Sequence, residues 1–126
     1  MFNIKKIFVK PKRRVSPEKF KDNLKEFIRL GNMYNFRLLF ILEPHRGLGK
    51  FAEEVKSNPY YNVMYRLSRK YPEGVMLIDT VSLFNKYAGR EDKIFYDEMH
   101  LTSLGHKILA GEIYNVLNKN KAFWGA

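Results

Sequence analysis

Apolar residues along this chain follow two periods. Phe20, Leu24, Phe27 and Ile28 recur at i, i+4, i+7 and i+8, which places one apolar stripe on a helix. Ser16-Pro17 stands just before them, a serine N-cap followed by a proline at the first helical position. Gly31 and Asn32 weaken the far end, so the spacing predicts a helix over about residues 17–33. Leu38-Leu39-Phe40-Ile41-Leu42 is continuously apolar and closed by Glu43-Pro44, and a run apolar on both faces predicts a strand buried in a parallel sheet. Residues 45–58 are polar and carry Gly47 and Gly49, predicting a loop with a short helical turn at 50–56. Pro59 opens a second helix to about Lys70, with Val63, Met64 and Leu67 inward, and Val75-Met76-Leu77-Ile78 predicts a second buried strand ending at Asp79. Residues 80–100 form a long loop with a helical turn near Val81 to Tyr87. The last helix runs from Thr102 or Ser103 to Leu117, its apolar side carrying Leu104, Ile108, Leu109, Ile113, Val116 and Leu117. Upstream, Ile7-Phe8-Val9 predicts the end of a further strand, stopped by Pro11.

The order is (β)-α-β-α-β-α. Such alternation implies parallel strands joined by helical crossovers, with helices covering a short sheet of two or three strands. Ligand sites in these sheets lie beyond the C-terminal strand ends. Glu43, His45, Asp79 and the 80–100 loop fall on that edge, and so do Asp97 and His100, which precede the last helix. The 126 residues suit a single domain with a real core, and no internal repeat is present.

Charge is placed unevenly within a net +10: residues 1–14 hold six Lys or Arg and no acid, leaving 17 basic and 13 acidic side chains in the rest. The N-terminal cluster reads as a solvated basic segment rather than a surface for nucleic acid or anionic lipid. It lacks the interleaved aromatics of single-strand binders and carries no named nucleic-acid motif. Cysteine is absent, which removes disulfides, thiolate nucleophiles and cysteine metal sites. No apolar run reaches the length of a transmembrane segment. Met1 to Val9 is interrupted by lysines, and Lys10-Pro11-Lys12-Arg13-Arg14 stands where a signal peptide needs an apolar stretch and a cleavage site. The residues name no compartment.

The candidate chemistry is concentrated in Asp97-Glu98-Met99-His100-Leu101-Thr102-Ser103-Leu104-Gly105-His106. A carboxylate three residues before a histidine, in a tight turn, can hold one imidazole nitrogen and leave the other free to move a proton. This is the acid–base half of a serine-hydrolase triad. Rival readings of nearby residues are simpler. His45, Asp79, His100 and His106 match no zinc spacing. Tyr60, Tyr61 and Tyr65 read as helix packing with polar tips outward. Glu43-Pro44 reads as a turn, although Glu43 beside His45 could also form a second acid–base pair. Five serines are present: Ser16, Ser57, Ser68, Ser82 and Ser103. Ser16 and Ser103 are helix starts, and no serine sits in a Gly-rich strand-to-helix turn that would expose and activate it.

Asp97-x-x-His100-Leu101-Thr102-x-x-Gly105-His106 resembles the C-terminal motif of the SGNH (GDSL) hydrolases. Upstream, Arg14-Val15-Ser16-Pro17-Glu18-x-Phe20-x-x-Asn23-Leu24 resembles the helix after their third strand. Leu38 to Pro44 resembles the fourth strand, and Tyr61-Asn62 together with Val75 to Asp79 resembles the segment leading to the fifth. The resemblance spans residues 14–118. It implies a partial flavodoxin-like three-layer sandwich, with Asp97 and His100 as the acid and base of an ester-cleaving triad and no metal or organic cofactor. The family's Gly-Asp-Ser nucleophile and Gly-x-Asn-Asp segments do not occur here. By resemblance, then, the chain corresponds to the C-terminal portion of such a domain, preceded by the basic segment 1–14, with little or no ester turnover alone. An incomplete sheet has an open edge, so the expectation is a complementing chain, a homodimer through that edge, or marginal stability. A non-catalytic binding or assembly subunit docking through its basic N-terminus is the alternative function.

Overall fold

A computed structural model describes residues 15–47 and 49–125 of the chain. Helix α1 spans Pro17–Tyr34, and the Ser16 hydroxyl accepts from the Lys19 N–H at 3.1 Å. The helix stops at Asn35, which takes the left-handed conformation (φ 59°) open to asparagine. The Asn35 and Phe36 N–H groups both return to the Gly31 carbonyl. A side chain at Gly31 would place Cβ 2.8 Å from the Phe36 carbonyl oxygen, so the glycine permits the reversal that leads into β1.

Strand β1 (Leu38–Ile41) is followed by helices α2 (Phe51–Ser57) and α3 (Pro59–Lys70) and then by β2 (Val75–Ile78). The strands pair in parallel from Leu38↔Val75 to Ile41↔Ile78. Alternate residues point to one face. Leu38, Phe40, Val75 and Leu77 meet Ile28 and Leu24 of α1 and Val63, Met64 and Leu67 of α3. Beyond the strand ends a second cluster forms from Leu42, Val55, Tyr61 and Val81. There the buried Thr80 hydroxyl donates to the Leu42 carbonyl at 2.7 Å and ties the two exits together. Asp79 accepts from the Ser82 N–H and caps α4 (Thr80–Asn85). Short α5 (Glu91–Ile94), long α6 (Ser103–Lys119) and short α7 (Lys121–Trp124) complete the order. Phe84, Ile94 and Phe95 form a third cluster against Leu101, Ile108 and Leu109.

Among the described residues the architecture is mixed α/β, mostly helical, around a short two-stranded parallel sheet. Two apolar faces depart from the spacing. Phe27 is 52% exposed on α1, and Leu104 and Leu117 are 46% and 39% exposed on α6. Two four-residue strands offer too little surface to cover the full apolar side of both helices. The 80–100 stretch also holds more helix than the single turn expected near Val81 to Tyr87, because a four-residue element such as α5 is too short to show a period. Ser82, within the helical turn expected near Val81 to Tyr87 of that loop, lies in α4. The expected strand at Ile7-Phe8-Val9 and the basic segment 1–14 lie outside the described residues. Among the described residues, no helix is long and apolar enough to cross a membrane.

Candidate active site

Between α5 and α6 the chain makes a closed turn. Phe95 and Leu101 form an antiparallel bridge, and the Tyr96 N–H donates to the His100 carbonyl at 2.7 Å. The Thr102 N–H donates to the Ile94 carbonyl at 2.9 Å. Thr102 is also the N-cap of α6: its hydroxyl oxygen accepts from the Gly105 N–H at 3.2 Å and donates to the Lys93 carbonyl at 2.6 Å. The Leu-Thr-x-x-Gly part of the motif is thus the joint between this turn and the helix behind it.

Inside the turn, Asp97 is held from three sides. Its Oδ1 accepts from the Met99 N–H at 3.0 Å and the His100 N–H at 2.8 Å. Its Oδ2 lies 2.7 Å from His100 Nδ1, with Oδ1 at 2.9 Å. Because a carboxylate only accepts, this contact places the proton on Nδ1. Among the described residues, the imidazole Nε2 has no hydrogen-bond partner, and the His100 side chain is 71% exposed. The Met99 and His100 N–H groups, and then the imidazole, hold the Asp97 carboxyl down at about 2 against an ordinary 3.8.

That depression predicts a pH dependence with a definite sign. The folded state binds Asp97's proton less readily than the unfolded chain does, so the contribution is complete above about pH 4 and is lost as pH falls through about 2. Carbon-13 NMR of the Asp97 carboxyl is expected to titrate near 2, with the Met99 and His100 amide signals moving at the same midpoint. A midpoint near 4 would mean that the turn is open in solution.

The turn is anchored to the sheet's C-terminal edge. The Arg46 N–H, in the loop after β1, donates to the Glu98 carbonyl at 2.8 Å, and the Arg46 guanidinium pairs with Asp92 of α5. No spacing rule exposes this link, since Arg46 and Glu98 are far apart in sequence. His45 stacks edge-on against Tyr61 at 6.3 Å and lines a cavity of about 80 Å³ with Val81, Phe84 and Phe95. The Tyr61 hydroxyl donates to the Glu43 carbonyl, and burial followed by the Glu43 and Glu54 carboxylates pushes it up to about 12. Tyr60 and Tyr65 stack edge-on with Phe20 and Phe51, so all three tyrosines serve packing.

Other sequence candidates do not converge on His100. Asp79 is occupied as a cap, and the described residues contain no group of three or more His, Asp or Glu placed to hold a metal ion. All five serines are described, and none hydrogen-bonds to His100. Ser16 caps α1, Ser68 donates to the Tyr65 carbonyl, Ser57 ends α2, Ser82 lies in α4 and Ser103 opens α6. No family model matches the chain, and neither a curated protein nor a solved structure matches it.

Proposed function

We propose that Asp97 and His100 are the acid and base of an SGNH-type ester hydrolase. In this reading the chain is the C-terminal part of a flavodoxin-like three-layer sandwich, and the nucleophilic serine comes from a Gly-Asp-Ser segment outside residues 1–126. The observation that carries the proposal is the three-sided hold on Asp97, with His100 Nδ1 bonded to it and Nε2 without a partner among the described residues. The parallel order of β1 and β2 and the link from Arg46 to Glu98 support it, because they put the turn beside the strand exits where α/β sites are built.

The chemistry follows from the proton positions. Nε2 takes the serine hydroxyl proton as the oxygen attacks an ester carbonyl, and Asp97 stabilises the resulting imidazolium. Collapse of the tetrahedral intermediate expels the alcohol, which receives that proton from Nε2. Water then loses a proton to Nε2 as it attacks the acyl-serine, and collapse releases the acid while Nε2 returns that proton to the serine oxygen. The scheme assigns no step to a metal or organic cofactor.

Hydrolysis of p-nitrophenyl acetate tests this in two arms. Alone, the chain is expected to show no turnover beyond that of free imidazole at equal histidine concentration. Mixed with a polypeptide encoded immediately upstream and carrying Gly-Asp-Ser and Gly-x-Asn-Asp, it is expected to gain turnover that His100→Ala abolishes. Robust turnover by the chain alone, abolished by His100→Ala, would overturn the external serine. Complementation without His100-dependent turnover would overturn the hydrolase reading.

A further inference from the structure

Between α1 and α3 lies a groove of about 280 Å³, remote in sequence from the Asp97 turn. Its walls carry Lys21 and Lys25, one turn apart on α1, and Asn62, Arg66 and Lys70 on successive turns of α3. Val63 and the buried Leu67 complete the lining. The α3 row spans about 12 Å at the helical rise of 1.5 Å per residue. Helix α3 contains no acidic residue. Among the described residues, no carboxylate forms an ion pair with Lys21, Lys25, Arg66 or Lys70. Glu18 and Asp22 lie one turn before the two lysines on α1 but do not line the groove.

We infer that this groove docks an acidic amphipathic helix of a partner protein. Residues one turn apart on a helix stand about 5–6 Å apart, so carboxylates at i and i+4 on such a partner match the spacing of both cationic rows. A leucine between them seats on the partly exposed Val63, above the buried Leu67, which is helix-in-groove recognition with charge along the rims. Three features select this occupant. A phosphodiester chain has no apolar group for the Val63–Leu67 floor, and among the described residues no aromatic lines the groove for a base to stack on. Residues 1–14 carry six cations and no acid, so this chain's own N-terminal segment has the wrong charge. A second copy brings another +10 of net charge. The inference is independent of the ester-hydrolase reading.

The test uses the full chain and a labelled peptide of about 15 residues, with leucines at i, i+3, i+4 and i+7 flanked by glutamates, read by fluorescence anisotropy. Lys25→Glu with Arg66→Glu is expected to weaken binding about tenfold or more, whereas Lys19→Glu with Lys56→Glu, outside the groove, has little effect. A peptide with lysine in place of each glutamate is expected to bind the Lys25→Glu, Arg66→Glu protein better than the wild type. That rescue also shows that the variant is folded. Leucine-to-alanine changes in the peptide are expected to abolish groove-dependent binding. Equal losses from the two pairs of substitutions would overturn the inference. So would tighter groove-dependent binding of single-stranded RNA than of the peptide, or self-association of the chain that Lys25→Glu and Arg66→Glu abolish.

Discussion

Alanine at Gly105 is expected to lower the unfolding free energy by about 2 kcal/mol, the range of an overpacked core site. Gly105 is buried in the first turn of α6, and a Cβ there would stand 2.5 Å from the Ile94 carbonyl oxygen and 3.0 and 3.1 Å from Leu101 side-chain carbons. The near atom is backbone, and that same carbonyl accepts the Thr102 N–H. Relief therefore requires α6 to move away from α5 and the turn, not the rotation of one flexible side chain. On propensity alone, glycine to alanine inside a helix gains up to about 1 kcal/mol, so the sign of the result separates steric packing from propensity. Urea denaturation measures it. The Asp97 titration supplies a local readout, since a displaced α6 loosens the turn and raises the Asp97 midpoint toward 4. A variant as stable as the parent, with Asp97 still titrating near 2, would show that the helix does not seat on the Ile94 carbonyl.

Asparagine at Asp97 is expected to invert the His100 tautomer and, in the complemented enzyme of the proposed function, to lower kcat by about 10⁴-fold. That is the size of the effect this substitution has in a Ser-His-Asp triad. Asparagine keeps an oxygen where Oδ1 accepts the Met99 and His100 N–H groups, so the turn survives. The amide nitrogen then replaces Oδ2 opposite Nδ1. It donates and stands at the shorter of the two Nδ1 contacts, 2.7 Å against 2.9 Å to Oδ1, which already accepts two backbone N–H groups, so Nδ1 accepts and the proton moves to Nε2, the nitrogen that has to be free to act as a base. Nitrogen-15 NMR of the imidazole detects the change in this chain without a partner. Persistence of the Nδ1–H form in the asparagine variant would remove the basis for the predicted loss of rate.

The local features were readable without tertiary structure. Ser16-Pro17, Pro59 and Thr102-Ser103 locate three helix starts because the contacts that start a helix span only a few residues. The apolar runs at Leu38 and Val75 locate both strands because residues buried on two faces have no polar alternation. The Asp97–His100 contact was legible for the same reason, since it closes within one turn. Phe27 and Leu104 were misassigned because periodicity reports which side of a helix is apolar and carries no information on how wide a surface that side will meet.

The sequence by itself determined the alternation of helices with parallel strands, the helix starts, and the pairing of Asp97 with His100, because all of these rest on contacts or periods spanning a few residues. Tertiary structure alone decided that Arg46 anchors the turn through Glu98, that Gly105 faces the Ile94 carbonyl, and that Lys21 and Lys25 oppose Arg66 and Lys70 across one groove. The physical reason is the same throughout. Each of those arrangements depends on how separate elements pack, and packing is set by the summed shape and burial of many side chains rather than by any one spacing along the chain.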